Sequence, residues 1–357
     1  MDTPLPDIPR KGRGAVSNRA GRFEPHASEA IDDGWSAEEL PPLRTTVTRD
    51  ASKTVIARNN SPDVPFDRSI NPYRGCEHGC VYCFARPTHA FLGLSPGLDF
   101  ESRLFYKPDA ARLLEDALHD PKYECRTMAM GTNTDPYQPI EREFGITRSI
   151  LEMLSECDHP VGVVTKSTLV VRDIDILAPM AMRSLAQVCI SVTTLDRELA
   201  RLLEPRAPTP ARRIETIRRL AEAGIPTGVM AAPTIPGLTD HEMEEILERA
   251  WEAGARSASY VLLRLPLEIA DLFQEWLETH RPDRASRVLN LMRQAHGGKI
   301  YASTFGKRMR GQGPYAAMLG KRFEAACKRL GFSDRRFELD TTRFKRPLRR
   351  GDQLALF

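Results

Sequence analysis

The strongest constraint on the fold is a regular alternation of apolar and amphipathic segments along residues 67–279. The apolar segments have the length of buried strands, and the amphipathic segments repeat their apolar side chains with a helical period. Strands that alternate with helices pair in parallel through right-handed crossovers. The pattern predicts an α/β fold, a partial (βα)6 TIM-like barrel. After a first strand near residue 67, it has strands at 127–130, 161–165, 187–193, 227–231 and 258–263, and helices at 108–119, 146–157, 173–181, 211–223, 240–253 and 270–279.

A cysteine-rich loop follows the first predicted strand. Cys76, Cys80 and Cys83 lie close together, and glycines at 75 and 79 let the backbone curl until the sulfurs face one centre. Zinc sites and ordinary iron–sulfur sites are closed by four ligands, so three clustered thiolates suggest a position left open for another molecule. His78 could instead complete a Cys3His zinc site, which would only stabilise the loop.

The C-x3-C-x2-C spacing, with Tyr82 before the last cysteine, resembles the signature of the radical S-adenosylmethionine (SAM) enzymes. This resemblance implies the radical SAM type of partial barrel, a [4Fe–4S] cluster held by the three cysteines, and SAM bound to the remaining iron. It also implies that Tyr82 contacts the cofactor. A partner protein such as flavodoxin or ferredoxin would donate the electron. The reduced cluster would split SAM into methionine and a 5′-deoxyadenosyl radical, which removes a hydrogen atom from the substrate.

Polar residues follow the second, third and fourth predicted strands, at the end of a barrel where active sites lie. By the family resemblance, Thr132, Asn133 and Asp135 bind the SAM amino group, although a polar turn would have the same composition. Lys166 offers a point charge for a carboxylate. Strand alternation turns Ser191 toward the lumen, near the same carboxylate.

Lys166 and Ser191 match the lysine and serine of the spore photoproduct lyase group, the radical SAM branch that repairs a thymine dimer in DNA. That lyase carries a hydrogen-donating cysteine at the end of its second strand, whereas residues 128–132 contain none. Cys189 is a candidate donor in its place, with simple packing as the alternative. The resemblance to uncharacterised relatives of the lyase rests on residues 71–87, 131–141, 165–167 and 204–205, with Arg212 and Arg213.

The composition is that of a globular protein of the cytoplasm. With 357 residues and 41% apolar content, the chain can bury a full core. We find no apolar run long enough to span a membrane and no secretory leader. Because cluster ligands must remain free thiolates, we expect a reducing compartment and therefore cytoplasmic localisation.

The charge pattern divides the chain into four parts. Residues 1–60 are expected to form a mostly disordered basic arm, residues 61–283 the barrel, residues 284–332 a helical extension, and residues 333–357 a basic tail. Within that tail, residues 335–350 hold seven basic and two acidic residues. We expect such a segment to contact DNA, although a solvated tail would have the same composition.

The tail carries two further features. Phe337 and Phe344 interrupt its basic residues and could stack on bases. The terminal Gln353, Leu354, Leu356 and Phe357 resemble the peptide by which bacterial polymerases and repair proteins bind the DNA sliding clamp, and the alternative is that they fold back on the protein's own surface.

The resemblance thus implies a radical SAM enzyme that acts on DNA or another nucleic acid, as a repair-type lyase or a modifying enzyme. Three alternatives stay open. The enzyme could act on a substrate other than nucleic acid, the protein could be a zinc-stabilised adaptor recruited to the clamp without catalysis, or the cluster could serve electron transfer alone.

Overall fold

A computed structural model describes residues 5, 7–24, 43–332 and 338–348 and places a mostly parallel sheet at the centre of the protein. Ten strands lie within these residues. They are β1 Thr46–Arg49, β2 Ile56–Arg58, β3 Arg68–Ile70, β4 Tyr73–Arg74, β5 Arg103–Tyr106, β6 Met128–Met130, β7 Val161–Thr165, β8 Ala186–Val192, β9 Thr227–Thr234 and β10 Ser257–Leu262.

The central sheet has the order β10-β9-β8-β7-β6-β3-β2. Six of its strands, β3 and β6 to β10, are parallel and follow one another in chain order, whereas β2 adds an antiparallel edge. This order confirms the six predicted strands and the open, partial barrel. A second sheet, β1-β5-β4, was not predicted, because its strands are short and two of them flank the irregular cysteine loop.

The helices lie where the amphipathic pattern predicts them. Each of the six helices predicted for residues 108–279 is present, with ends that differ by at most three residues. The α-helices of the described residues are α1 Asp99–Ser102, α2 Ala110–His119, α3 Glu141–Phe144, α4 Ile146–Glu156, α5 Ile174–Met182, α6 Arg197–Leu203, α7 Pro210–Glu222, α8 Met243–Glu252, α9 Ile269–His280, α10 Pro282–Ala295 and α11 Gly313–Leu330.

The two faces of the sheet differ as strand alternation requires. On β7, Val161 and Val163 are buried and pack with helix residues such as Leu154 and Leu177. On β8, Cys189 is only half-buried, as is its partner Val164 on β7. The apolar face therefore carries the core beneath the helices, and the opposite face lines the lumen of the partial barrel.

The N-terminal segment packs against the cysteine loop. Arg13 is buried, and its guanidinium donates to the backbone oxygen of Glu101 at 2.6 Å. The backbone N–H groups of Gly14 and Ala15 donate to the Glu101 carboxylate at 2.9 Å and 2.8 Å. Residues 13–17 are therefore packed in the protein, and the mostly disordered arm expected for residues 1–60 stays a prediction. A single buried carboxylate orders this polar stretch, and charge counting along the chain does not reveal that carboxylate.

The C-terminal segment that the structure describes, residues 338–348, packs at the amino ends of the parallel strands. The Lys345 N–H donates to Cys157 O at 2.8 Å, just before β7. The Phe344 ring lies 5.5 Å from the rings of both Tyr123 and His159. The Phe344 ring is thus half-buried against the protein, and its stacking on bases stays a prediction. Phe337 and the predicted clamp peptide of Gln353, Leu354, Leu356 and Phe357 lie outside the described residues.

Among the described helices, none is both long enough and apolar enough to cross a membrane.

The close approach of the N-terminal segment to the cysteine loop gives a stability prediction. A Cβ atom on Gly14 would lie 1.9 Å from the backbone oxygen of Gly79, which cannot move aside. We expect Gly14→Ala to lower the free energy of unfolding by about 1–3 kcal/mol, measured by denaturant titration. Gly320→Ala is the matched control, because a Cβ there meets only the Tyr260 hydroxyl at 3.4 Å and alanine favours the helix. Equal stability of the two variants would contradict this packing.

Candidate active site

Three cysteine thiols gather in the loop after β4. Cys76 and Cys80 are buried, Cys83 is half-buried, and all three are free thiols. Gly75 has a φ of 73° and Gly79 a φ of 69°, in the left-handed region that favours glycine. Turns then form from Gly79 N to Cys76 O and from Cys83 N to Cys80 O, each at 3.2 Å. The glycine positions thus let the loop bring its sulfurs into one region.

A buried arginine forms hydrogen bonds to the backbone of the cysteine loop. The Arg86 guanidinium donates to Cys80 O at 2.9 Å and to Gly79 O at 3.2 Å. It also forms an ion pair with Glu101, and both side chains are completely buried. Because arginine presents several donors in a rigid plane, one side chain fixes several carbonyl groups of the loop together.

The polar segment after β6 fixes the other side of the loop. The Gln138 amide accepts from the Glu77 N–H at 2.9 Å and donates to Gly75 O at 3.1 Å. The Thr134 hydroxyl donates to Tyr73 O at 3.0 Å. Sequence analysis singled out this segment for cofactor binding and missed these supporting hydrogen bonds. Side chains in an irregular loop give no periodic signal that would reveal them.

Burial raises the pKa of all three thiols. It raises that of Cys80 to about 12, with a further increase from Glu204 and an opposing effect of Lys166. The pKa values of Cys76 and Cys83 are also raised by burial, and backbone N–H groups of Asp135 and Ala85, respectively, act in the opposite direction. Three thiolates can therefore exist in this region only with a positive centre among them.

A [4Fe–4S] cluster meets this requirement. Its irons supply the positive charge, and backbone N–H groups directed at ligand sulfurs are a usual feature of cluster sites. No group of three or more His, Cys, Asp or Glu side chains in the described chain is arranged to hold a single metal ion. A cluster takes each thiolate on a separate iron, so the donor set of Cys76, Cys80 and Cys83 is chemically suited to it.

His78 and Asp135 form a buried pair beside the thiols. His78 Nδ1 lies 3.4 Å from Asp135 Oδ2. Asp135 also accepts from the Thr165 hydroxyl at 2.6 Å and from the Lys166 N–H at 2.8 Å. Burial opposes its ionisation, but His78 and these donors hold its pKa at about 2. Both oxygens of Asp135 thus hold the ends of β6 and β7, and its contact with SAM stays a prediction.

Lys166 reaches the cysteine loop from the end of β7. Its Nζ lies 5.8 Å from the centre of the Tyr82 ring, and its charge lowers the pKa of Cys80, Cys83 and Glu204 against burial. The ammonium group is therefore close enough to the thiols to attract an anionic group placed among them.

The other predicted SAM contacts lie on neighbouring strand ends. Thr132 and Asn133 are half-buried directly after β6, and the Asn133 N–H donates to Asn71 Oδ1 at 3.2 Å. Ser191 is buried near the end of β8. All three stay predictions as cofactor contacts, on the same side of the sheet as Lys166.

A buried network lies behind Tyr82 and was missed by sequence analysis as a functional unit. The Tyr82 hydroxyl donates to Glu204, which also pairs with Arg213 and accepts from the Thr193 hydroxyl at 2.6 Å. Burial disfavours the Glu204 carboxylate, but Arg213 and Lys166 outweigh it and hold the pKa of Glu204 at about 2. Tyr82 is therefore fixed through its hydroxyl while its ring faces Lys166.

Cys189 lies deeper in the lumen than Ser191. A Cβ atom on Gly228 of β9 would lie 3.6 Å from its sulfur, and burial raises the pKa of the thiol to about 12. Two residues along β8 correspond to roughly 7 Å toward the amino end of the strand. Its role as a hydrogen-atom donor stays a prediction.

A cavity of about 510 Å³ opens beside this site, at the loops that follow β8 and β9 and at the start of α10. Leu199 and Leu238 line it and also belong to the apolar cluster that contains Cys80 and Tyr82. None of the predicted cofactor contacts lines it. The remaining lining residues are Asp196, Gly237, Asp240, His241, Glu242, Arg281, Asp283, Arg284 and Arg287.

Comparison with known proteins identifies the family. The family model of the radical SAM superfamily matches residues 70–250, which span the cysteine loop and most of the parallel sheet. The chain belongs to the radical SAM superfamily. Proteins of this superfamily use a [4Fe–4S] cluster and SAM, so these are the cofactors of the chain.

The relatives extend the match. An uncharacterized protein of Mycobacterium bovis is 36% identical over 237 residues, which cover 66% of this chain and 70% of that protein. An uncharacterized protein of Methanocaldococcus jannaschii is 28% identical, over 62% of this chain and 79% of that protein. These relatives are uncharacterized proteins, and their names indicate no substrate.

Solved structures show the same fold. A spore photoproduct lyase variant with bound AdoMet and dinucleoside spore photoproduct superposes with a TM-score of 0.56 and 15% identity, over 80% of this chain and 78% of that one. A second variant of the lyase gives a TM-score of 0.57 and 15% identity, over 85% and 87% of the two chains. At this identity the likeness is one of fold.

The thiol arrangement predicts which cysteines hold iron. Serine at position 76, 80 or 83 removes a thiolate ligand, so we expect each variant to lose most of its iron and acid-labile sulfide after anaerobic reconstitution. Cys125→Ser is the matched control, because Cys125 lies outside the loop and should leave the iron content unchanged. Full iron content in any of the three loop variants would remove that cysteine from the ligand set.

The Glu204–Arg213 pair predicts a pH-dependent stability. The folded-state pKa of Glu204 lies below its ordinary value of 4.5, so its contribution is complete above about pH 4.5 and is lost as the pH falls toward about 2. At neutral pH, Glu204→Gln leaves Arg213 buried and unpaired, and we expect a loss of about 3–5 kcal/mol in the free energy of unfolding. The difference in the free energy of unfolding between Glu204→Gln and the parent should narrow as the pH falls from about 4.5 toward about 2.

Two variants control this measurement. Glu215→Gln breaks an exposed pair with Arg218 and should cost less than about 1 kcal/mol. Glu204→Gln combined with Arg213→Met removes both charges and should recover much of the loss. A constant difference between Glu204→Gln and the parent from neutral pH to pH 2 would show that the pair does not ionise as described.

Proposed function

We propose that this protein is a radical SAM enzyme that acts on DNA or another nucleic acid. The observation that carries the proposal is the position of Lys166, whose ammonium faces the Tyr82 ring and acts electrostatically on two thiols of the cysteine loop. This arrangement sets a cation for a carboxylate beside a set of iron ligands. SAM combines an amino-acid carboxylate with a sulfonium, so it suits both the cation and the cluster.

In the proposed site, Cys76, Cys80 and Cys83 hold the cluster. Lys166 and Ser191 receive the SAM carboxylate, and Thr132 and Asn133 receive its amino group. When bound, the cluster would supply one electron to the SAM sulfonium, and the cleaved SAM would provide the carbon radical that takes a hydrogen atom from the substrate.

The residues of the chain fix and shield this chemistry. His78, Asp135 and Thr165 hold the backbone of Lys166, so its side chain starts from a defined point at the end of β7. Glu204 holds the Tyr82 hydroxyl and fixes the ring plane. Because these groups are buried, water is kept from the thiols, which protects a reactive radical from side reactions.

The nucleic-acid substrate is supported by the lyase structures, whose bound ligand is a dinucleoside photoproduct. The fold shared with these structures covers 80% of this chain. Residues 128–132 contain no cysteine, so the reaction need not be the repair of that same lesion. A repair-type lyase and a nucleic-acid modifying enzyme both remain within the proposal.

The decisive experiment follows 5′-deoxyadenosine. The reconstituted protein, reduced anaerobically with SAM, is expected to form 5′-deoxyadenosine, and more of it when single-stranded, duplex or ultraviolet-damaged DNA is added. With deuterated DNA, deuterium should appear in the 5′-deoxyadenosine, because the radical takes its hydrogen from the substrate. Mass spectrometry detects both products.

Lys166→Met supplies the matched test of the site. Loss of a charged contact to a carboxylate should weaken SAM binding by about 10- to 100-fold. Lys345→Met, at the opposite end of the strands, should leave it unchanged. If 5′-deoxyadenosine formation never responds to nucleic acid, the substrate belongs to another class of molecule. If the cluster is intact but SAM is never cleaved, electron transfer is the favoured function.

A further inference from the structure

An exposed aromatic ring lies directly after the last cysteine of the loop. Phe84 follows Cys83 and keeps 44% of its surface exposed. The Arg264 guanidinium, just beyond the end of β10, lies 4.8 Å from the centre of this ring. Arg264 Nε is buried and has no hydrogen-bond partner among the described residues. An exposed aromatic ring and a cationic side chain therefore lie together directly after the last cysteine of the loop.

A second pair of the same kind lies in the loop before α11. Phe305 is 52% exposed, and the Arg308 guanidinium lies 4.7 Å from the centre of its ring. Asp63 fixes this loop, because it accepts from the Gly306 N–H at 2.6 Å and pairs with Arg308. A hydrogen bond of 2.8 Å from Leu262 N to Met309 O joins the end of β10, at the edge of the sheet, to this loop.

Asp63 connects the two pairs. Its pKa is lowered by the Gly306 N–H and by Arg308, against burial, and also by the charge of Arg264. Arg264 follows Leu262 by two residues and Arg308 precedes Met309, so the hydrogen bond from Leu262 N to Met309 O holds the two arginines on neighbouring stretches of backbone. We call the surface formed by Phe84, Arg264, Phe305 and Arg308 the rim surface. It lies at the carboxyl end of β10, next to the cysteine loop.

We propose that the rim surface binds unpaired nucleotides of a nucleic acid and guides them to the cysteine loop. Exposed rings stack on bases whatever the sequence, and arginines beside them contact phosphates. Bases within a duplex are already stacked on each other, so free rings favour single strands or extruded nucleotides. The inference rests on the proposed function and adds the form of nucleic acid and the residues that receive it.

The test measures binding of a fluorescein-labelled single strand of roughly ten nucleotides by anisotropy, with the reconstituted protein under anaerobic conditions. Phe84→Leu combined with Phe305→Leu keeps apolar bulk and removes both rings, and we expect affinity to fall by about 10- to 100-fold. Arg264→Ala should reduce the salt slope of binding by about one. A duplex of the same sequence should bind more weakly than the single strand and respond less to the double variant.

Met182→Ala is the control for a surface change. Met182 is 82% exposed at the end of α5, which leads to the amino end of β8, and its loss should not alter binding. The iron content and SAM affinity of the double variant should equal those of the parent. A lower iron content would reveal a folding defect, and a lower SAM affinity would reveal that the rings contact SAM.

The outcomes separate the two proposals. A parent protein that binds no nucleic acid overturns both the rim surface and the nucleic-acid substrate. A parent that binds while the double variant binds equally well overturns the rim surface alone. If the double variant loses SAM affinity to the same extent, the rings serve the cofactor and the proposal fails.

Discussion

The ion pair between Arg86 and Glu101 is the interaction on which the rest of the site depends. Both groups are fully buried, and Arg86 also donates to carbonyl groups on each side of it, which include those of Gly79 and Cys80. Glu101 accepts from the N-terminal segment as well. A carboxylate without water must be paired, and its partners here are the parts of the chain that shape the cysteine loop.

Two further buried carboxylates connect this loop to the barrel. Asp135 links the ends of β6 and β7 to His78, and Glu204 links Arg213 to Tyr82. In each, burial favours the protonated form and the surrounding donors favour the charged form, and the donors prevail. The thiols thus lie among buried charges that are held in place by hydrogen bonds and ion pairs.

The N-terminal and C-terminal segments pack at different places on the barrel. Gly14 of the N-terminal segment packs against the cysteine loop on the side where chemistry is proposed, whereas Phe344 packs at the amino ends of the strands. The exposed aromatic and arginine residues near the thiols come instead from the loop itself, from the end of β10 and from the loop before α11. Contact of the basic C-terminal tail with DNA stays a prediction, separate from the surface proposed beside the thiols.

The sequence by itself determined the parallel strands, their helices and the cysteine loop, because strand and helix periods and glycine positions are local properties of the chain. It also indicated Lys166, since a strand's carboxyl end is set by that strand alone. Only the tertiary structure decided that Asp135 faces His78, that Glu204 holds Tyr82 and that Phe84 meets Arg264. These contacts join residues far apart in the chain, and nothing local encodes which buried charge finds which donor.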